Sequence, residues 1–353
     1  MDPVDDYSYD YDYDYFNNVT ETGPVKTNAT SLSTGAAAGT ETASSAFRNV
    51  IAVLYSIIFL LGFCGNGLVI WITGFKMKRT VNTTWFLSLA ISDFLFCVFL
   101  PFYIVHVVCD SHWYFGLLMC KFNAFILFLN MFSSIFLLVI ISIDRCVTVV
   151  FPVWSQNYRT PRMASVIAFL AWVAACLLSI PPLIFRDITA SRGKTLCYNN
   201  YENANHESVA FSRFIFGFVI PFVVIVFCYT IIIRKLKNNR MARSNKPFKI
   251  MSAIIATFFV CWLPYHIVII LEINHHRHDT EIFKKAVSVV VTLAFANSFL
   301  NPILYVFMGN DFKQKFKMSV LSKIENTLSE DGRTTSRRLS KSSSVYNKGS
   351  TVV

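Results

Sequence analysis

Seven stretches of this chain are each long and apolar enough to cross a lipid bilayer, and that property excludes most folds. About twenty consecutive apolar residues cover the roughly 30 Å of a hydrocarbon core. Val50–Ile72, Trp85–Val108, Phe122–Ile143, Met163–Phe185, Phe214–Ile233, Ile250–Leu271 and Ala286–Met308 all meet that length, and Asp93 is the one acid among them. Only 15% of the 353 residues are charged, against about one quarter in an ordinary soluble domain, and 34 are Phe. So apolar a chain needs either an unusually large core or lipid as its solvent, and seven such runs favour lipid. The expected fold class is an all-α membrane protein, a seven-transmembrane helix bundle.

The net charge of +11 is unevenly placed. Lys76, Lys78 and Arg79 follow the first run. Arg159 and Arg162 follow the third, and seven bases from Arg234 to Lys249 follow the fifth. Lys313, Lys315 and Lys317 follow the seventh. The alternate links are mixed, with Arg186 and Lys194 beside Asp187 and Glu202. Basic short loops stay in the cytoplasm, so the reading is a multi-pass plasma-membrane protein with an extracellular N-terminus. The acidic first residues do not read as a cleaved signal, which leaves the first span to direct insertion.

Residues 1–46 are expected to be an extracellular acidic, tyrosine-rich tail, residues 47–309 the bundle, 310–318 an amphipathic eighth helix on the membrane surface, and 319–353 a disordered Ser/Thr-rich cytoplasmic tail. The alternation of Tyr and Asp from Tyr7 to Tyr15 suits electrostatic capture of a basic partner and tyrosine sulfation. Asn18 and Asn28 begin glycosylation sequons on the expected outer side; Asn82 also fits the motif but falls on the cytoplasmic side. Phe312 and Phe316, flanked by lysines, suit contact with anionic lipid. Phosphorylation of the final tail would invert its charge and suits arrestin binding, and Thr351-Val352-Val353 suits a PDZ domain.

Six of nine cysteines fall in spans or at their cytoplasmic ends and read as small apolar residues, while Cys109, Cys120 and Cys197 fall at the outer face. A Cys120–Cys197 bridge would pin the longest outer link over the bundle mouth. Charge at membrane depth is costly and marks function by default. Asp93, with Asn130, Ser134, Asn297 and Asn301, is therefore expected to hold a cation (sodium) or a proton; interhelical hydrogen bonding alone is the alternative. No other cofactor is expected. Pro101, Pro181, Pro182, Pro221, Pro264 and Pro302 interrupt helical hydrogen bonding and allow pivots, above all at Cys261-Trp262-Leu263-Pro264. Asp144-Arg145 closes the third span, and the pair suits a resting-state anchor. No phosphate loop, nucleophile elbow or metal-ligand cluster is present in the sequence, so no enzymatic activity and no nucleic-acid partner are expected.

Gly65-Asn66, Leu89-Ala90-Ile91-Ser92-Asp93, Cys120, Asp144-Arg145-Cys146, Trp172, Cys197, Pro221 with Tyr229, Cys261-Trp262-Leu263-Pro264 and Asn301-Pro302-Ile303-Leu304-Tyr305 occur in one order. That order and spacing resembles the rhodopsin-like G-protein-coupled receptors over about residues 47–318. The resemblance implies a cation site at Asp93, a toggle at Trp262, a G-protein-facing Asp144-Arg145 pair, and an activation pivot at Asn301, Pro302 and Tyr305.

The run Ala286–Met308 has no lysine for a retinal Schiff base, and Leu127 stands where amine receptors carry an acid. The remainder is similar to the chemoattractant peptide receptors. Pro152-Val153-Trp154-Ser155-Gln156-Asn157 and Lys246-Pro247-Phe248-Lys249-Ile250 look like the chemerin-receptor (chemokine-like) branch. Phe128 and Val209 replace an acid and an arginine of the formyl-peptide receptors; Arg213 remains. The resemblance implies a peptide or small-protein ligand such as chemerin and an inhibitory heterotrimeric G protein. Formyl or anaphylatoxin ligands, or ligand scavenging without coupling, are the alternatives. Arg213 is the expected anchor for a ligand carboxylate, unless an internal acid such as Glu272 pairs with it. Phe102, Tyr103, Phe125, Phe128, Tyr265 and Phe295 are expected to supply an aromatic pocket, some of them serving as core instead.

Overall fold

The computed structural model describes residues 34–191, 193–200, 206–238, 246–273 and 280–308. The expected eighth helix, both expected tails beyond these bounds, and Asn18 and Asn28 lie outside the described residues. Seven helices among the described residues are long and apolar enough to span a membrane. The chain is therefore a multi-pass membrane protein.

Lipid offers no hydrogen-bond partners, so each crossing must satisfy its backbone internally, and helices do so. The first helix is Thr34–Trp71 and continues as a π-helical turn, Ile72–Lys76. It begins upstream of residue 47, where the sequence places the edge of the bundle. The second is Val81–Val108, started by Thr80, whose side chain caps Thr83 while the Thr83 hydroxyl caps Thr80 in return. The third is Gly116–Val150 and outruns its hydropathy core, Phe122–Ile143, at both ends. A short helix, Pro152–Tyr158, leads to the fourth, Pro161–Leu178, where the Thr160 cap and Pro161 fix the start. The fourth crossing then breaks before a second short helix, Pro181–Phe185.

The fifth crossing is composite: an α-helix His206–Phe214, a π-turn Ile215–Val219, and an α-helix Ile220–Asn238. Pro221 lacks an N–H to donate, and a widened turn preceding it absorbs the missing bond. The sixth and seventh helices are Lys246–Ile273 and Thr280–Met308, with Pro264 and Pro302 inside them.

Among the described residues one antiparallel hairpin, Arg186–Ser191 with Lys194–Asn199, accompanies the helices, and Ile188 pairs with Cys197 in its register. Gly193 turns it at φ +78°, a conformation that favours glycine. The tight link between second and third helices places Asp110 and Ser111 at positive φ.

The third helix is the axis of the bundle. Of its most apolar stretch 78% is buried, against 28% for the first and fourth spans. It packs on the second, fourth, fifth and sixth helices, while the first packs on the second and seventh. Residues such as Val166, Phe169 and Leu170 on the fourth helix remain exposed, as a lipid-facing surface requires.

Candidate functional site

The disulfide end is assembled around two arginines. Cys120 at the head of the third helix is bonded to Cys197, so the hairpin is fixed over the bundle. Trp113 packs on that bridge, donates its indole N–H to Gly116 O at 2.9 Å, and donates its backbone N–H to Thr195 O at 2.8 Å. Asp110 holds the rest of this face by accepting from Arg48 (2.5 Å) and from Lys194.

Arg213 lies in the last turn of the first piece of the fifth crossing. Its guanidinium carbon lies 3.7 Å from the centre of the Phe128 ring, and Nη1 donates to the Tyr265 hydroxyl at 3.2 Å. A cavity of about 20 Å³ opens beside it, lined also by Phe128, Phe132, Leu178, Pro181, Val209 and Ser212. Of the six aromatic residues expected in a pocket, Phe128 and Tyr265 therefore meet Arg213. Tyr103 and Phe295 pack at tilted or edge-on angles in a buried cluster with Tyr55 and Phe96. Phe102 packs edge-on to Phe115, and Phe125 to Phe122. The side chain of Glu272 lies outside the described residues.

Below this region Trp262 is buried, stacked on Phe258 and edge-on to Tyr265. Its indole N–H has no partner among the described residues. Deeper still, Asp93 is wholly buried. Asn130 donates to its Oδ1 at 2.9 Å and Asn301 to its Oδ2 at 2.8 Å. Ser134 Oγ, Asn301 Oδ1 and both amide atoms of Asn297 are buried without a protein partner among the described residues. A buried carboxylate together with hydroxyl and amide oxygens left without protein partners is the kind of donor set a hard cation takes, and these residue types fit sodium. Gly65 lets the first helix approach Pro302, where an added Cβ would stand 3.1 Å from the proline ring.

At the opposite end, Asp144 and Arg145 lie within the third helix, which continues past them to Val150 rather than closing at the pair as the sequence suggests. They approach to 3.4 Å, yet the nearer partner of Asp144 is Arg159, with Nε at 2.7 Å and Nη2 at 2.9 Å. Asn82 Oδ1 accepts from Arg145 Nη2 and from Arg159 Nη2 (2.7 Å). Tyr229 lies against Ser252 of the sixth helix and near Arg145. The Tyr305 side chain lies outside the described residues.

A family model described as "7 transmembrane receptor (rhodopsin family)" matches residues 65–305, more than half of the chain. The chain belongs to the rhodopsin family of receptors. As a member of a receptor family, it is a receptor and not an enzyme. The receptor is 46% identical over 324 residues to chemerin-like receptor 1 of Rattus norvegicus, covering 85% of this chain and 87% of that one. It is 48% identical over 303 residues to chemerin-like receptor 1 of Homo sapiens, covering 80% and 81%. To the C3a anaphylatoxin chemotactic receptor of Oncorhynchus mykiss it is 43% identical over 307 residues, covering 84% and 82%.

The receptor also carries polar residues that hydropathy passed over. Arg186, read only as a loop charge, is buried and donates to the Cys197 carbonyl at 3.3 Å, and no carboxylate pairs with it among the described residues. With His106, Asn123 and Trp113 it lines a second small cavity behind the disulfide. His266 is buried among Phe214, Phe218, Trp262 and Tyr265, with Nε2 unpaired among the described residues. The sequence signal was a base abutting the fourth apolar run for Arg186 and a lone imidazole inside the sixth for His266, and neither pattern by itself specifies a partner.

Proposed function

We propose that the receptor sits in the plasma membrane with its disulfide end outside, binds chemerin there, and activates a heterotrimeric G protein of the inhibitory class at its Arg145 end. The observation that carries the ligand reading is the Arg213 site. Its half-buried guanidinium is held by Phe128 and Tyr265 beside a small cavity. A cation in low dielectric between aromatic walls selects a carboxylate attached to an apolar or aromatic residue, as at a peptide C-terminus. The similarity to receptors named for chemerin makes that protein the first choice. The C3a-named relatives make an anaphylatoxin the second reading. The acidic tyrosine tail would capture the ligand body, and its C-terminus would then enter the bundle.

Signalling requires that the ligand favour one conformation over another. Arg213 bonds the Tyr265 hydroxyl, and Tyr265 packs edge-on to Trp262, so a carboxylate drawn to Arg213 acts two contacts from the toggle. Trp262 and Pro264 lie on one turn of the sixth helix, whose pivot would open the Arg145 end with Asn301, Pro302, Tyr305 and Tyr229. The pocket around Asp93, with Asn130, Ser134, Asn297 and Asn301, would hold sodium, which would draw the second, third and seventh helices together in the resting state. Arrestin binding to a phosphorylated tail, a PDZ contact at the final residues, and anionic lipid at residues 310–318 complete the proposed partners.

The test is inhibition of cyclic AMP in cells expressing the chain, with chemerin, C3a and a formyl peptide as ligands. Chemerin should be active at the lowest concentration; a response only to C3a would favour the second reading. Arg213→Ala should reduce chemerin potency by roughly tenfold to a hundredfold at equal surface expression. It should change little for a C-terminally amidated chemerin peptide. Equal losses for acid and amide would remove Arg213 as the carboxylate anchor.

A further inference from the structure

We propose that Arg159 is a positioning residue for coupling: it draws the Asp144 carboxylate away from Arg145 and so keeps Arg145 releasable. This rests on the reading that the Arg145 end meets the G protein.

Two guanidinium groups compete here for one carboxylate and one amide oxygen. Arg159 meets Asp144 side-on through Nε and Nη2, at 2.7 and 2.9 Å, and makes two charge-assisted hydrogen bonds. Arg145 reaches the same carboxylate at only 3.4 Å. Asn82 Oδ1 accepts one hydrogen bond from each arginine, which uses both of its lone pairs. Arg145 Nε has no partner among the described residues. Arg145 is thus held chiefly by a neutral, shared oxygen, with a second cation beside it.

Both neighbours of Arg145, Arg159 and Asn82, are fixed in place by their own elements. Arg159 caps the short helix Pro152–Tyr158 through its N–H to Ser155 O at 3.2 Å, and Thr160 and Pro161 start the fourth helix directly after it. Asn82 lies in the first turn of the second helix, behind the Thr80–Thr83 capping pair. The arrangement therefore exists before any partner arrives.

The two neighbours of Arg145 should act with opposite sign. Without Arg159, both Asp144 oxygens become available to Arg145, and the nearby like charge is gone, so the resting state deepens. Without Asn82, Arg145 loses its main acceptor, and the resting state weakens. If Arg159 were only one more strap on a closed state, both losses would open it.

Ligand-free nucleotide exchange on a purified inhibitory-class heterotrimer reads this directly, using the full chain in lipid nanodiscs. Asn82→Ala should raise the rate and Arg159→Gln should lower it, each on the order of fivefold. Arg159→Gln should lower it again in the Asn82→Ala background, where the starting rate is high. Arg159→Lys, which keeps the charge but not the fork, should fall between Gln and wild type. A rise in exchange with Arg159→Gln would overturn the proposal.

A second measurement does not depend on coupling. If Arg145 takes over the carboxylate when Arg159 is lost, then Arg159→Gln and Arg145→Ala should each lower the melting temperature of the ligand-free receptor only slightly. The double variant, which strands Asp144, should fall by more than the sum of the two. Additive shifts would overturn the competition. Exchange absent in every variant, with synergy in melting intact, would instead overturn the coupling role and the G-protein reading with it.

Discussion

At Gly62 a single hydrogen atom decides how closely two helices approach. A Cβ at that position would stand 2.5 Å from Cys97 Sγ, well inside contact distance, and Ser298 and Phe299 lie at 3.7 Å. Cys97 is itself wholly buried and donates to Ser298 Oγ at 3.7 Å, so it has little room to turn away. Asn66, one turn on, donates to both Gly62 O and Ser298 O, which ties the first and seventh helices at the same level. Gly62→Ala should destabilise the receptor by about 1–3 kcal/mol through overpacking. Cys97→Ala in the same chain should recover most of that loss, as read by melting temperature in detergent. No recovery would mean that the backbone, not the thiol, sets the spacing.

Among the elements, the hairpin and the fifth crossing shape the disulfide end. The hairpin carries few apolar side chains inward, so its placement depends on fastenings: the Cys120–Cys197 bond, the Trp113–Thr195 backbone pair, and Asp110 between Arg48 and Lys194. A cross-link between residues 77 apart removes much of the freedom of the unfolded chain. Cys197→Ser should therefore cost about 2–4 kcal/mol and release the hairpin. Ligand binding should fall further than stability alone explains, since Arg186 donates to the Cys197 carbonyl and would lose its place. Saturation binding on intact cells, corrected for surface expression, measures the difference. In the fifth crossing, the π-turn and Gly217 bring the helix against the third: a Cβ on Gly217 would meet Met131 Cε at 3.0 Å. That approach holds Arg213 within reach of Phe128.

For the molecule as a whole, cohesion comes from a polar centre inside an apolar bundle. Lipid tails are as apolar as leucine, so the exclusion of water does little to hold one helix against another within the membrane. Packing and buried hydrogen bonds take over that role. Asp93 of the second helix receives Asn130 of the third and Asn301 of the seventh, and Ser92 shares a 2.5 Å hydrogen bond with Ser133. A sodium ion in the unused oxygens of Ser134, Asn297 and Asn301 would tighten three helices together. Replacing sodium chloride by potassium chloride should then lower the melting temperature of the ligand-free receptor by a few degrees. Asp93→Asn should make the two salts equivalent; an unchanged salt difference in that variant would remove the ion from this pocket.

The sequence by itself determined the number of crossings, the end rich in bases, and the presence of a costly acid at membrane depth. Each follows from transfer free energies that add along one segment and need no knowledge of neighbours. It also marked Cys120, Cys197, Arg213 and Trp262 as residues to watch. Only the tertiary structure decided their partners: Phe295 turned toward Tyr55 and Phe96 rather than Arg213, Arg159 rather than Arg145 nearest to Asp144, and Arg186 buried behind the disulfide. Those pairings depend on how each helix is rotated about its axis and where its ends stop. A twenty-residue average of hydropathy contains neither quantity, because both are set by contacts between segments dozens to hundreds of residues apart.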